Sequence, residues 1–247
     1  MPLLSSLAAP LLRRTGHTLV SRVHAAQPFI AFPPKTSFDL VLLQRFGLPA
    51  GLRFIQIGAN DGRRADPLLR YLEPLGWQGV MFEPAAANFA ALSARHGANP
   101  RLRLRRAAVD LQPGRRALYD LSPAARAGQP DWAGGLASFD RPRVLAAARE
   151  LGLTESAVVA EEIDTVGWDE VWASAGASPV DLLVLDTEGY DLTLLRAAGL
   201  ARHRPRLVHF EHACHTVDDR LAFYRELVDL GYELATDAGD TTAWLPA

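Results

Sequence analysis

Cysteine and lysine are almost absent from this 247-residue sequence. Cys214 is the one cysteine, which excludes an intrachain disulfide and a cysteine-rich zinc site. Lys35 is the one lysine, and its neighbours Pro34 and Thr36 lack the glycines of a phosphate-binding loop. Long apolar runs are also missing, since no stretch reaches the roughly 18 residues that a membrane-spanning helix needs. We therefore expect no integral membrane association.

Neither sign of charge is in clear excess. The 26 lysine and arginine residues face 28 aspartate and glutamate residues, and the formal net charge is -2. A general electrostatic hold on nucleic acid needs a strongly basic surface, so we expect no nucleic-acid partner. Hydrophobic residues make up 49% of the chain, which excludes wholesale disorder.

Acidic residues are missing from the first 38 positions. Arg13 and Arg14 follow the apolar stretch Leu3–Leu12, whereas a secretory signal has its basic residues before the apolar stretch. An acid-poor leader with arginine and serine also resembles a mitochondrial transit peptide. We favour a helical N-terminal segment over residues 1–50 that packs on the domain or covers its site, in a cytoplasmic protein.

Short apolar strands alternate with helical segments along the chain, which predicts an α/β fold with a mostly parallel sheet and helices on both faces. The predicted strands are Arg53–Asn60, Gly79–Pro84, Leu102–Val109, Ala157–Ile163, Val180–Leu185 and Arg206–Phe210. The predicted helices are Ala65–Leu75, Ala85–His96, Arg143–Leu151, Leu192–Ala198 and Val217–Leu230.

Two further patterns refine this sheet. Arg103 and Arg105 alternate with apolar neighbours, which predicts that their strand lies toward a sheet edge. Gly239-Asp240 lies between two apolar runs and indicates a hairpin that adds an antiparallel element at one edge. We find no linker, so we predict a single domain over residues 1–247, with residues 112–168 as an inserted region on the substrate side.

Ligands of open α/β sheets bind beyond the carboxyl ends of the strands. The loop Gly58–Gly62 follows the first strand there, and its glycines allow a sharp turn close to a ligand. Its spacing is not G-x-G-x-x-G, and Asp61 would repel a pyrophosphate but attract a cationic ligand. Glu83 ends the second strand, where a carboxylate can accept hydrogen bonds from ribose hydroxyls. The loop and Glu83 together predict nucleoside binding.

Asp186 and Glu188 follow a buried strand, and two carboxylates this close should have coupled pKa values. One could hold a ligand ammonium while the other takes a proton, although either could instead cap a helix. The run His209–His215 contains histidine, glutamate and cysteine, but strand geometry divides its first four residues between two faces. We therefore expect no metal site and favour a single base, His212 or Glu211, at the mouth of the site.

Four segments together resemble the FkbM-type family of S-adenosylmethionine (SAM)-dependent methyltransferases. They are FIQIGANDG (Phe54–Gly62), MFEPAAANFAAL (Met81–Leu92), DLLVLDTEGYDLTLL (Asp181–Leu195) and LVHFEH (Leu207–His212). The resemblance implies a Rossmann-like class I methyltransferase fold, with a seven-stranded, mostly parallel sheet whose last strand is antiparallel.

The resemblance also implies SAM as the cofactor and assigns residues to it. The residues that would contact SAM are Gln56, Gly58, Asn60, Asp61, Gly62, Glu83, Ala108, Val109, Asp110 and Asp186. Glu83 would bind the ribose, Val109 and Asp110 would flank the adenine, and Ser138 resembles a serine that the family often carries. Many relatives have an acid at the position of Gln56, whose amide can still accept a hydrogen bond from the methionine ammonium but carries no charge. We therefore expect weaker SAM binding.

Family members commonly methylate hydroxyls of sugars and natural products, which implies O-methylation of a small-molecule acceptor by in-line transfer. The candidate bases are Asp186, Glu188 and His212, of which the histidine has the unperturbed pKa nearest neutrality. An NAD-dependent Rossmann oxidoreductase and a non-catalytic SAM-fold binding module are the alternatives. The aromatic residues Trp132, Phe139, Trp168 and Trp172 could stack on an acceptor, although core packing is the favoured role for most of them.

Overall fold

A seven-stranded sheet organises residues 36–246, the part of the chain that the computed structural model describes. In chain order the strands are β1 (Arg53–Ile57), β2 (Gln78–Phe82), β3 (Leu102–Arg105), β4 (Ala108–Val109), β5 (Gly114–Leu121), β6 (Val158–Val166), β7 (Leu182–Leu185), β8 (Leu207–Glu211), β9 (Glu233–Thr236) and β10 (Asp240–Trp244). The helices are α1 (Ser37–Phe46), α2 (Leu69–Leu72), α3 (Ala86–His96), α4 (Pro123–Arg126), α5 (Arg141–Glu150), α6 (Trp168–Ser174), α7 (Asp191–Ala197), α8 (Leu200–His203) and α9 (Val217–Asp229), with 3-10 turns at Asp131–Gly135 and Glu155–Ala157.

The strand order of the large sheet is β3-β2-β1-β7-β8-β10-β9. Its first five strands are parallel, whereas β10 runs antiparallel to both β8 and β9. The predicted α/β fold with an antiparallel last strand is thus confirmed, and so is the edge position of the arginine-rich strand β3. The chain order reverses between β1 and β7, where ligands of such sheets bind.

A second sheet, ordered β4-β6-β5, corrects one predicted strand. The predicted strand Leu102–Val109 is in fact two strands, because β3 joins the large sheet while β4 pairs with the end of β6. β5 and β6 pair antiparallel along the whole of β5. Most of the region that looked irregular in the sequence is therefore built on this sheet. Its role as an inserted substrate-side region and the single-domain organisation stay predictions.

Apolar residues cover both faces of the large sheet. One face carries Ile57, Phe82, Leu185 and Phe210, which belong to a buried cluster with residues of α6, α7 and α9. On the other face the Phe38 ring of α1 lies 5.0 Å from the ring of His209. α1 starts at Ser37 because the Thr36 side chain accepts a hydrogen bond from the Asp39 N–H.

The predicted helix Ala65–Leu75 is wrong in its first half, since only Leu69–Leu72 is helical. Ala65 has φ +50°, and Pro67 disfavours helical geometry at the residue before it. The predicted N-terminal helical segment lies outside the described residues for positions 1–35, and α1 covers most of the remainder. Within residues 36–246, no helix has the length and apolar character that crossing a bilayer requires.

Candidate active site

The loop after β1 has a backbone that only glycine can adopt at its first position. Gly58 has φ +80°, and an added Cβ would lie 1.8 Å from the carbonyl oxygen of Asp186. The N–H groups of Gly58 and Ala59 both donate to the carbonyl of Phe82, at 2.9 and 3.0 Å. The loop is thus pinned between the ends of β2 and β7, and its backbone lines a cleft.

Glu83 is held at the end of β2 by two backbone hydrogen bonds. Its Oε2 accepts from the N–H of Asn60 at 2.8 Å, and its Oε1 accepts from the N–H of Ala85 at 2.9 Å. The side chain is only 4% exposed, and burial raises its pKa to about 7 although these hydrogen bonds lower it. The Asn88 side chain also donates a hydrogen bond to this carboxylate. A carboxylate has about four acceptor sites, so Glu83 can still accept a hydrogen bond from a diol.

The cleft lies where β1, β2, β4 and β7 end, and it is partly open to solvent. The sequence-predicted residues that line it are Gly58, Asn60, Glu83, Ala108, Val109, Ser138, Phe139, Asp186 and Glu188. Four others do not line it, namely Gln56, Asp61, Gly62 and Asp110.

Three of those four residues support the loop from outside the cleft. Gln56 faces the other side of β1, where its Nε2 donates to Asp66 at 3.2 Å. Asp61 accepts hydrogen bonds from the N–H groups of Arg63 and Arg64; burial raises the pKa of this carboxyl, but these bonds outweigh burial and lower it overall. Gly62 lets the loop approach α3 closely. Their predicted contacts with the cofactor stay predictions.

Asp110, the fourth, is engaged by two side chains of the protein. Its Oδ1 accepts from the Tyr190 hydroxyl at 2.8 Å, and its Oδ2 accepts from Arg116 at 2.9 Å. Burial raises the pKa of Asp110, but these hydrogen bonds reverse that effect and leave the pKa below its usual value. The Arg116 guanidinium also lies 4.0 Å above the ring centre of Phe139. Asp110 is therefore a charged anchor behind the aromatic part of the cleft wall.

Asp186 differs from Glu83 and Glu188, the other carboxylates that line the cleft, in its lack of a hydrogen-bond donor or ion-pair partner within residues 36–246. Asp186 lines the cleft and is exposed to solvent, and no residue in the described part of the chain donates a hydrogen bond to its carboxylate. The pKa of Asp186 lies well above its usual value because protein surrounds the cleft and because Asp191, Glu188 and Glu211 are nearby. A carboxylate with a raised pKa and no partner can accept a proton from a bound ligand.

Glu188 is held in a strained conformation by its neighbours. Its φ is +53°, a left-handed value that is uncommon for a side chain other than glycine, asparagine or aspartate. Arg143 of α5 forms an ion pair with its carboxylate, and the Ser138 hydroxyl donates to its carbonyl at 3.4 Å. Burial raises the pKa of Glu188 even though Arg143 lowers it. Strain of this kind is common at functional sites.

Glu211 and Cys214 extend the acidic cluster beyond β8. The Cys214 thiol donates to Glu211 at 3.1 Å. Burial and the charge of Glu188 raise the pKa of Glu211 to about 7, and burial raises the pKa of Cys214 to about 12. One ligand atom from each of Glu188, Glu211 and Cys214 lies within 4.8 Å of the others. Arg143 also lies at this group, in an ion pair with Glu188.

The histidines near the end of β8 lie away from the cleft. His212 is 3% exposed, its Nδ1 lies 2.9 Å from the hydroxyl of Thr241, and burial lowers its pKa. His209 is on the α1 side of the sheet, and burial lowers its pKa to about 4. Neither lines the cleft, whereas the candidate bases Asp186 and Glu188 do.

Among the aromatic candidates, only Phe139 lines the cleft. Trp168 and Trp172 stack on each other in the core with ring centres 5.7 Å apart, and Trp132 is 48% exposed. Sequence reasoning missed Arg116, Arg143 and Tyr190. Arg116 and Arg143 lie in segments without a motif. Their contacts with Asp110 and Glu188 depend on the tertiary structure.

The strand order, the glycine loop and the carboxylates at the strand ends define a class I methyltransferase fold. Residues 56–234 match the model of a family described as Methyltransferase FkbM domain. The chain belongs to this methyltransferase family.

Comparison with solved structures gives the following similarities. The structure is similar to methyltransferase FkbM from Methylobacillus flagellatus KT, with a TM-score of 0.50 and 15% identity over 83% of this chain and 47% of that one. The chain therefore spans about half the length of that protein. A precorrin-6y C5,15-methyltransferase from Geobacter metallireducens GS-15 matches with a TM-score of 0.43 and 13% identity, over 83% of this chain and 86% of that one.

Aeropyrum pernix fibrillarin, solved with natively bound SAM, matches with a TM-score of 0.41 and 13% identity, over 83% of this chain and 71% of that one. Identities this low show similarity of fold alone. A search of curated proteins found no match.

Proposed function

We propose that this methyltransferase uses SAM to methylate a hydroxyl of a sugar or natural-product acceptor. The observation that carries the proposal is the carboxylate of Glu83, which two backbone N–H groups hold on the cleft wall. It lies beside a loop that closes tightly only because residue 58 is glycine. This arrangement suits a ribose diol next to a closely approaching backbone.

The charges and contacts of the cleft fit SAM, which is a cation at its sulfur. Asp186 and Glu188 line the cleft and Glu211 lies near them, whereas Arg143 is paired with Glu188, so acidic groups outnumber basic ones there. Thr187 also lines the cleft, and its hydroxyl oxygen is buried without a hydrogen-bond partner among the described residues. An unpaired buried hydroxyl is unfavourable, so a ligand that pairs with it gains free energy.

Individual residues would hold separate parts of the cofactor. Glu83 would accept hydrogen bonds from the ribose, and the apolar side chains of Phe82 and Val109 would contact the adenine. The loop backbone at Gly58 and Asn60 would contact the methionine part. Gln56 does not line the cleft, and its amide donates a hydrogen bond to Asp66. A glutamine here in place of the acid of many relatives would therefore change the contacts that support the loop and not the lining of the cleft.

SAM, when bound, supplies a methyl group on a sulfonium centre. The protein must remove the acceptor's proton and hold its oxygen in line with that methyl group. We assign the proton to a carboxylate oxygen of Asp186, because this side chain is in the cleft and has no competing partner. Glu188 is anchored by Arg143 and orients the acceptor through its second oxygen. A positioned base contributes roughly 10²–10⁴-fold to the rate.

The proposal is tested by incubating the protein with methyl-labelled SAM and a panel of glycosides, nucleotide sugars and phenols. We expect label in at least one hydroxyl acceptor, and loss of that transfer in Asp186→Asn. Asp229→Asn is the matched control, since Asp229 is exposed on α9. Tight binding of NAD in place of SAM would support the oxidoreductase alternative instead. SAM binding without transfer to any small molecule, or transfer to RNA, would contradict the acceptor class.

A further inference from the structure

Four side chains form a connected group at one end of the cleft, which we call the clasp: Asp110, Arg116, Phe139 and Tyr190. They come from separate parts of the chain, since Asp110 follows β4, Arg116 is in β5, Phe139 precedes α5 and Tyr190 precedes α7. Phe139 and Tyr190 line the cleft, and their rings meet edge to face with centres 5.9 Å apart.

Asp110 and Arg116 hold these two rings from behind. The Tyr190 hydroxyl donates to Asp110 at 2.8 Å, and Arg116 donates to the other carboxylate oxygen at 2.9 Å. The Arg116 guanidinium lies 4.0 Å from the ring centre of Phe139 and 5.4 Å from that of Tyr190. Each ring is thus fixed by a polar or cation–π contact in addition to the contact between the rings.

Both oxygens of the Asp110 carboxylate are therefore occupied within the protein. Oδ1 also accepts from the N–H of Leu111 at 2.7 Å, and the side chain is only 14% exposed. Asp110 does not line the cleft, whereas Val109 just before it does. A purine lying against Val109 would meet the two rings and not the carboxylate.

This reasoning rests on the proposed function, because it needs an adenosine in the cleft. We propose that Phe139 and Tyr190 contact the purine of the cofactor, and that Asp110 and Arg116 are positioning residues that keep the two rings in place. The clasp then sets how long the cofactor stays bound. Because the two rings are perpendicular, one can stack on the face of the purine while the other contacts it with its edge. Neither contact depends on the amino group of the purine.

The test uses the full-length protein and S-adenosylhomocysteine, with dissociation followed by stopped flow and affinity by calorimetry. Tyr190→Phe removes one hydrogen bond to a carboxylate and keeps the ring. We expect dissociation to become roughly tenfold faster with little change in association, as for the loss of one charge-assisted hydrogen bond. Tyr119→Phe is the matched control, because the Tyr119 hydroxyl forms no hydrogen bond within residues 36–246 and lies outside the cleft.

A double-mutant comparison separates positioning from direct contact. Asp110→Ala and Tyr190→Phe break the same bond, so their combined effect should be well below the product of the single effects. The clasp variants should also keep the wild-type ratio of affinities for S-adenosylhomocysteine and its 6-oxo analogue, S-inosylhomocysteine. Circular dichroism of each variant verifies that it is folded.

Two results would contradict the proposed role of the clasp. One is a Tyr190→Phe variant that releases the ligand at the wild-type rate. The other is an Asp110→Ala variant whose effect multiplies with that of Tyr190→Phe and abolishes discrimination of the 6-oxo analogue, since Asp110 would then contact the purine directly. If the wild-type protein binds no S-adenosylhomocysteine, the proposed function is wrong. If it binds this ligand but the variants give either of the two results above, only the proposal about the clasp is wrong.

Discussion

Gly58 and Asp186 are in direct backbone contact across the boundary between β1 and β7. An added Cβ on Gly58 would lie 1.8 Å from the Asp186 carbonyl oxygen, and the Asp186 N–H donates to the carbonyl of Ile57 at 3.0 Å. The loop proposed to hold the cofactor and the residue proposed as the base therefore fix each other's positions. A change in one moves the other.

Replacing Gly58 with alanine should strongly destabilise the protein and abolish SAM binding. Alanine at a positive φ costs about 1–3 kcal/mol, and the clash with Asp186 adds to that. Gly128→Ala is the matched control, because Gly128 also has φ +80° but has open space around its Cβ position. Chemical denaturation of both variants measures the difference, and equal losses of stability would contradict the contact.

Cofactor binding should weaken as the pH falls through about 7. Burial raises the pKa of Glu83 to about 7, and the ionised form is the better acceptor for the ribose. We expect the dissociation constant for SAM to rise by up to about tenfold per pH unit below that value. Glu83→Gln should flatten this dependence, whereas Glu73→Gln, at an exposed position, should keep it. Calorimetry from pH 5.5 to 8.5 makes the comparison, and an unchanged slope in Glu83→Gln would count against the ribose contact.

The raised pKa of Glu83 also affects the ligand-free protein, which should become less stable as the pH rises. The pKa of Glu83 is about 7 in the folded state and near 4.5 when exposed, so the folded state holds this proton more tightly. Its contribution to stability is therefore lost as the pH rises from about 4.5 to 7 and is constant above that range.

Asp186→Asn should stabilise the ligand-free protein. The pKa of Asp186 is raised by burial and by the charges of Asp191 and Glu188, so ionising it in the folded state is unfavourable. The amide removes that charge, so we expect a higher melting temperature at high pH, by an amount that solvent screening keeps small because Asp186 is exposed. The gain should shrink as the pH falls and Asp186 of the wild-type protein takes up a proton. A melting temperature lowered at pH 8 would show that Asp186 has a stabilising partner.

His212→Ala separates the candidate bases. The sequence favours His212 for its ordinary pKa, yet the structure buries it against Thr241 outside the cleft. We expect His212→Ala to lower stability, and to lower turnover per folded molecule by less than about tenfold. Asp186→Asn should lower turnover by roughly 10²–10⁴-fold. Single-turnover rates with labelled SAM measure both, and the reverse order would make His212 the base.

Much of the fold could be predicted from the sequence because its signals are local. The apolar run of β1 followed by glycine, and that of β7 followed by two acids, mark strand ends without any knowledge of partners. By contrast, β5 contains Arg115 and Arg116 and follows a turn, so only its pairing with β6, whose residues lie 37 to 51 positions later, makes it a strand. Non-local pairing of this kind leaves no periodic pattern to read.

The cleft was predictable at its strand ends and not elsewhere. Glu83 and Asp186 lie around one cleft because parallel strands end at the same edge of the sheet. Arg143 meets Glu188 across 45 positions of sequence, through a helix whose placement no motif specifies. The burial of His212 depends in the same way on β10, which supplies Thr241.

A crystal structure with S-adenosylhomocysteine tests the central claim most directly. The account predicts the ribose hydroxyls within hydrogen-bond distance of the Glu83 carboxylate, the purine against Val109, and the sulfur beside Asp186. A ligand bound elsewhere, or a Glu83 carboxylate turned away from the ribose, would contradict it.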